Sequence, residues 1–424
     1  MQIFKFGGAS VKNAECIKNV ATILQLFVDV KKVVVISAIG KTTNRLENAI
    51  NLFVNKDEKY LENFNEIYQE HVNIAKDLAI PETDNLYIEL NLFLSQTLAF
   101  LTNNKNNSYT FIYDQVVPLG EFFSTLLVSS YLNKCGLNTI WIDAREMIST
   151  NSNFTEAKVN FEITTPKIKS KIDKKKLSKN IILTQGFIGR NEMGFSTTLG
   201  REGSDYTASV LAFCLDAQKV VIWKDVPAVL NSDPRLFSDT IKLEKLSYSE
   251  AIEMTYYGAQ VIHPKTIKPL QNKNIPLQVR SFLDLAEEGT MIGQLDKKDA
   301  IHYPPIIVYK VNQALISISV KDFSFVTEDN MSIICQCFSQ NGMRMNMIHS
   351  GAISFSVCTE YKEERTKALI KELKKDFEVK YNINLELLTI RHYTEEKIDE
   401  LTKGKEILLQ EKTRNTIQIL MRKR

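Results

Sequence analysis

The chain has 424 residues, 44% hydrophobic and 24% charged, the composition of a folded globular protein too long for one ordinary core. Its 53 basic and 50 acidic residues leave a net charge of +3, which argues against nucleic acid or a membrane surface as the main partner. The six cysteines fit neither a zinc site nor a disulfide framework, and the five histidines show no ligand spacing, so no metal ligand is assigned and a reducing compartment is expected.

The first predicted element is a buried strand at residues 2 to 6, ending in Gly7-Gly8, after which Ala9, Ser10 and Val11 open a helix to about Phe27. Nothing ahead of this strand reads as a signal peptide, and no run of eighteen apolar residues occurs, so a cytoplasmic location is expected. The strand and glycine turn resemble a phosphate loop but not a Walker A sequence, because the lysine precedes the glycines. Lys5, the last inward residue of the strand, would place an ammonium where a transferring phosphoryl group could sit.

The next strand, Lys32 to Ser37, ends in small and hydroxylated residues up to Asn44. Two successive strands thus aim their loops at one crevice, the ligand-binding edge of open α/β sheets. Residues 45 to 108 carry helical periodicity and no evident chemistry. Asp114 to Leu132 reads as one helix with Glu121 near its beginning, where an acid serves at least the helix dipole. A strand follows at Ile140 to Asp143, then a lysine-rich surface run at residues 166 to 179.

Residues 182 to 213 read as strand, glycine-rich loop and helix. Gly200 and Gly203 let the backbone turn, Ser204 and Asp205 are expected as N-cap residues, and Arg201 offers a fork suited to a carboxylate. An ordinary βα turn would share these features. A strand at Lys219 to Trp223 then runs into Asp-rich turns containing Asp225, Asp233 and Arg235, and Ser247 to Tyr257 is a predicted helix. Alternating strands and helices make residues 1 to 285 an α/β domain with a mainly parallel sheet sandwiched by helices. Residues 286 to 305 read as a linker. Residues 306 to 383 give the α+β order βαββαβ, and residues 384 to 424 begin it again but stop before the second helix.

These pieces together resemble the aspartokinases of the amino-acid kinase family, followed by a tandem ACT regulatory region. KFGGAS (5 to 10) is similar to KFGGTS, TLGREGSDYTA (198 to 208) to the TLGRGGSD signature, WKDVPAVLNSDPR (223 to 235) to WTDVPGIYTTDPR, and YGAQVIHPKT (257 to 266) to FGAKVLHPAT. The resemblance implies transfer of the ATP γ-phosphoryl group to the β-carboxylate of L-aspartate, the first step towards lysine, threonine and methionine, with Mg²⁺ carried by the nucleotide. A carboxylate already ionised at neutral pH needs no general base, so positioning and charge neutralisation carry the catalysis. The resemblance gives Lys5 the transferring phosphoryl group and Asp205 the orientation of Lys5. It gives Glu121 the substrate ammonium and Arg201 its α-carboxylate, with Ser37, Thr43 and Ser204 as further substrate contacts. Gly7, Gly8, Ser10, Lys224, Asp225, Leu230, Asp233, Arg235 and Gln260 fall on the nucleotide side.

Four departures there concern the nucleotide: Lys224 for threonine, Leu230 for tyrosine, Ala228 for glycine and Gln260 for lysine. Glu202 replaces a signature glycine, mild if its φ is negative. In the ACT region MNMIHSGAISF (345 to 355) matches a segment resembling VDLITTSEVSV that binds lysine in the family, placing Asn346, Met347 and Ser350 at a regulatory site but removing its acid. Weak or absent inhibition by lysine and a homodimer held by the ACT region are the resulting expectations. Two further readings stay open, a related kinase with another carboxylate acceptor and a non-catalytic amino-acid sensor.

Overall fold

The structure is a computed structural model that describes residues 1–104, 107–259, 262–295, 302–322 and 324–423. It divides into two compact units, one of Met1–Val229, Leu243–Ile252 and Val261–Lys297, the other of Leu230–Lys242, Glu253–Gln260 and Lys298–Arg424.

Among the described residues of the first unit, eight strands form one sheet. They are β1 (Gln2–Phe6), β2 (Lys32–Ile36), β3 (Thr139–Ile142), β4 (Ile181–Gln185), then, after a separate two-stranded hairpin of β5 (Ile188–Arg190) and β6 (Ser196–Thr198), β7 (Lys219–Lys224), β8 (Lys245–Ser247), β9 (Leu277–Ser281) and β10 (Thr290–Gly293). The order is β3-β4-β2-β1-β7-β9-β10-β8, parallel except where β10 meets β9. β1 and β2 are central and almost wholly buried, as their apolar runs require of parallel strands covered on both faces. From β1 the chain leaves toward β2 on one side, whereas β7 lies on the other side and leads away to β9. The crevice beyond the carboxyl ends of these strands is therefore a topological switch point, where open α/β sheets take ligands.

The helix expected from Ala9 is delayed. A 3-10 turn, Gly8–Val11, comes first, and the α-helix Ala14–Leu26 starts where the Asn13 side chain accepts the N–H of Cys16 at 2.9 Å. The helix expected over 114 to 132 is two, Tyr109–Val116 and Pro118–Lys134, because Pro118 has no N–H to continue the ladder. This stretch is apolar and long enough to suit a membrane, yet most of it is buried in the core. Residues 286 to 305, expected as a linker, contain β10. Gly289, at φ +75, makes the turn into it, and the Thr290 hydroxyl accepts the N–H of Val229 at 2.8 Å.

In the second unit six strands form an antiparallel sheet: β11 (Ile306–Val320), β12 (Met345–Ser350), β13 (Phe355–Glu360), β14 (Phe377–Arg391), β15 (Lys405–Lys412) and β16 (Thr416–Lys423), ordered β12-β13-β11-β14-β16-β15. The helices Glu328–Gln340 and Glu363–Leu373 pack on one half through Ile334, Phe338, Leu369 and Leu373. The strands expected separately at 378 to 382 and 385 to 393 are one continuous strand, β14. Ile306–Lys310 at the start of β11 pairs with the second half of β14, so the second run gains a further strand from the start of β11. This α/β unit with a mainly parallel sheet and α+β, ACT-like antiparallel region are the fold classes read from the sequence.

The end of β4 meets the helix Gly203–Leu215 at Gly186. A Cβ there would fall 2.4 Å from the Ser204 Cβ, closer than any real contact. Gly186→Ala should therefore cost on the order of 1 to 3 kcal/mol, read as a lowered thermal midpoint; an unchanged midpoint would show that this helix start can move aside.

Candidate active site

β1 alternates so that Phe4 and Phe6 pack on Trp223, Phe6 stacked at 5.8 Å between ring centroids, while Lys5 points to the other face. The Lys5 ammonium meets the Asp205 carboxylate at 2.6 Å, with both side chains nearly buried. The neighbouring strand ends are laced by backbone hydrogen bonds, Ser37 N–H to Phe6 O and Gly40 N–H to Gly8 O, both at 3.1 Å, and Gly186 N–H to Ile36 O at 3.0 Å. A Cβ on Gly8 would fall 2.7 Å from the Ala38 carbonyl oxygen, so this loop approach demands glycine.

A cavity of about 590 Å³ opens at this edge of the first unit. Of the residues expected at a site, Lys5, Gly8, Ser37, Thr43, Glu121, Arg201, Ser204, Asp205 and Lys224 line it together. Gly7 is adjacent, since a Cβ there would lie 3.3 Å from the Lys5 Nζ. Ser10 is buried outside the lining, Asp225 is exposed outside it, and Gln260 lies outside the described residues. Leu230, Asp233 and Arg235 belong to the segment counted with the second unit, where Arg235 pairs with Asp233 at 2.7 Å and holds that carboxyl below its ordinary value.

Glu121 sits in the first turn of its helix because Gly120 allows close approach; a Cβ there would be 3.0 Å from Thr42 Cγ2 and 3.2 Å from Ala38 Cβ. The carboxyl is 3% exposed, and its Oε2 is buried without a partner. Burial pushes it up to about 8, against the pull of the Lys5 ammonium and a hydrogen bond from the Ala38 backbone. An acidic group with one oxygen left without a partner, on the wall of a cavity, is a candidate partner for a ligand cation.

The signature loop differs from expectation. The helix begins at Gly203, so Ser204 and Asp205 lie in its first turn and Glu202 is the N-cap. Glu202 has φ +53, so its replacement of a signature glycine is not the mild case of a negative φ; the strain is offset where its carboxylate accepts the N–H of His263 at 2.9 Å. Lys265 Nζ donates to the Leu199 carbonyl at 2.7 Å and braces the same loop.

Tyr113, Thr155, Glu156 and Phe187 also line the cavity, and the sequence reading missed them. Burial pushes the Tyr113 hydroxyl up to about 12, so it stays protonated at neutral pH.

The three regulatory residues do not share a surface. Asn346 accepts from Lys310 Nζ at 3.1 Å and donates to Gln313 Oε1 at 2.9 Å; Met347 is buried with Cys358, Leu385, Leu387 and Leu420; Ser350 is exposed. The Met347 side chain faces the core, next to an irregularity in the strand pairing between Met345 and Met347.

A family model described as "Amino acid kinase family" matches residues 1–281. The bifunctional aspartokinase/homoserine dehydrogenase 1, chloroplastic, of Arabidopsis thaliana is 30% identical over 388 residues, 88% of this chain and 42% of that protein. The aspartokinase 2, chloroplastic, of the same plant is 31% identical over 84% of this chain and 65% of its own length. The chain thus spans well under half of the first relative. A crystal structure of E. coli aspartokinase III in complex with aspartate and ADP superposes with a TM-score of 0.82 at 24% identity, covering 99% of this chain and 96% of that one, a likeness of fold.

Glu121 also predicts a pH effect on stability. Its carboxyl is raised from 4.5 to about 8 on folding, so its contribution is fully present below pH 4.5 and is lost as pH rises through 8. The thermal midpoint of the ligand-free protein should fall over this window, a loss on the order of a few kcal/mol, and Glu121→Gln should flatten that part of the profile. A Gln variant with the wild-type profile would place the titration elsewhere.

Proposed function

Since the chain belongs to the amino acid kinase family, we propose that it is an aspartate kinase, which transfers the γ-phosphoryl group of ATP to the β-carboxylate of L-aspartate and gives 4-phospho-L-aspartate. The observation that carries this reading is the convergence of Lys5, Glu121, Arg201 and Asp205 on one cavity at the switch point of the sheet. Glu121 takes the substrate ammonium and Arg201 the α-carboxylate, which leaves the β-carboxylate free to attack in line. Lys5, held by Asp205, neutralises charge on the transferring group; the N-terminus of the helix Gly203–Leu215, with Ser204, adds donors and a favourable dipole.

The acceptor oxygen is already anionic, so no residue has to remove a proton. The γ-phosphorus–oxygen bond to ADP breaks as the bond to the β-carboxylate oxygen forms. Magnesium, bound with the nucleotide, would supply charge neutralisation on its phosphates. Gly8 and Lys224 are nucleotide-side residues on the cavity wall. A cytoplasmic homodimer acting in lysine and threonine formation completes the reading.

The test is hydroxylamine trapping of the acyl phosphate with ATP, Mg²⁺ and L-aspartate, with glutamate and N-acetylglutamate as competitors. Aspartate-dependent hydroxamate is expected, and Lys5→Ala should lower kcat by about 10² to 10³ with a smaller change in the aspartate KM. Hydroxamate with another acceptor alone would identify a different kinase; none at all would favour a non-catalytic sensor.

The Lys310 ammonium already occupies the amide oxygen of Asn346. A free lysine would have to displace it and would find no acid in its place, so inhibition by lysine is expected to be weak or absent. Activity assays and calorimetry with lysine, threonine and both together check this; sub-millimolar inhibition would show a pocket built from other residues.

A further inference from the structure

Thr155, on the cavity wall, has φ +70. A β-branched residue there is crowded by its own Cβ substituents, and such a conformation persists only where neighbours impose it. The neighbour is Asp114, which has no exposed surface. The N–H of Thr155 donates to both Asp114 oxygens, at 3.1 and 3.0 Å, and the same carboxylate accepts the N–H and the hydroxyl of Thr198, each at 2.8 Å. Burial pushes this carboxyl up to about 6, opposed by those donors.

Thr198 closes β6 and leads through Leu199 and Gly200 to Arg201. The Thr155 carbonyl oxygen lies 3.3 Å from where a Cβ of Gly200 would be, and Gly200 itself has φ +76. Ala157 N–H donates to Thr198 O at 2.9 Å, so the loop is tied to the strand a second time. The helix Tyr109–Val116 grips the same pieces elsewhere: Phe111 packs edge-on against Phe154 at 5.2 Å, and Gln115 exchanges two hydrogen bonds with the Ser196 backbone. One buried carboxylate thus joins a strained loop to the strand from which Arg201 is launched.

We propose that Asp114 and Thr155 form a positioning pair for the acceptor site: the carboxylate holds Thr155 against Gly200 and so sets the backbone that aims Arg201 at the acceptor's α-carboxylate. This rests on the reading of the cavity as an aspartate site. A clamp that served stability alone would leave the two Michaelis constants where they are.

The experiment measures aspartate and ATP KM values, with thermal midpoints, for Asp114→Asn, for Asp114→Asn combined with Thr155→Gly, and for Thr155→Pro. An amide turns an NH₂ toward at least one backbone donor, so the single Asn variant should raise the aspartate KM about tenfold or more while the ATP KM stays within about twofold. Glycine adopts φ +70 without being held there, so the double variant should bring the aspartate KM back to within about threefold of wild type. Thr155→Pro acts from the loop rather than the core; proline can neither adopt this φ nor donate, so it should reproduce the split even if Asp114→Asn does not fold. The proposal is overturned by an aspartate KM that stays at the wild-type value in folded variants, by an equal rise in both KM values, or by failure of glycine to restore a raised one. A wild-type chain that forms no hydroxamate with aspartate would overturn the acceptor reading and this proposal with it, an outcome seen before any substitution is made.

Discussion

The pairing of Lys5 with Asp205 is the constraint around which the cavity edge of the first unit is arranged. An ammonium and a carboxylate 2.6 Å apart, with 11% and 5% of their side-chain surface exposed, have given up most of their hydration. Their attraction offsets that loss only if both are held in place, and removing one would leave the other buried and uncompensated. The fold supplies the holding. Lys5 comes from the most central part of a parallel sheet, and Asp205 from the first turn of a buried helix, where the dipole favours a negative charge. Glycines at 8, 186 and 203 remove the Cβ atoms that would keep these elements apart. Preorganisation of this kind suits a reaction that needs charge placed in advance more than it needs a nucleophile or base.

Much of this was legible because the chemistry sits at strand ends. The alternation in Ile3-Phe4-Lys5-Phe6, the glycines after it, and the polar tail of the next strand each reported a loop at the ligand edge. Glu121 was read from its place near a helix start and Arg201 from its place in the glycine-rich loop, their roles coming from the family resemblance, and the structure places both on the cavity wall. What the sequence hid is long-range. The union of Asp114 with Thr155 and Thr198 spans 41 and 84 residues, and no local pattern reports a carboxylate whose donors come from that far away. The helix break at Pro118 was visible in principle, but the apolar periodicity on both sides read as one helix.

The antiparallel region shows the opposite failure. Its elements were mostly legible one by one, yet their assembly was not, because β11 and β14 are each long enough to serve two neighbouring four-stranded arrangements. The further strand that joins the second run, Ile306–Lys310, comes from the start of β11. Two left-handed asparagines, Asn312 at φ +56 and Asn384 at φ +59, sit at the register shift between the halves of these strands. Asparagine is the residue that most easily adopts that conformation after glycine, so each is a readable hinge between the two arrangements.

Glu202 shows why a departure from a motif has to be judged by backbone geometry. At φ +53 a glutamate is strained where glycine would not be, and by that measure the substitution weakens the loop. Its side chain, however, reaches the backbone N–H of His263, the N-cap of the helix Pro264–Asn272, and that helix sends Lys265 back to the Leu199 carbonyl. A glycine could make neither the strain nor the first of these bonds. The loop that carries Arg201 is thus fixed from two directions, by Glu202 and Lys265 on one side and by Asp114 and Thr155 on the other. Arg201 is exposed, and the role proposed for it, meeting a small carboxylate in one orientation, asks for a backbone set before the ligand arrives, which a loop fixed from both sides would supply.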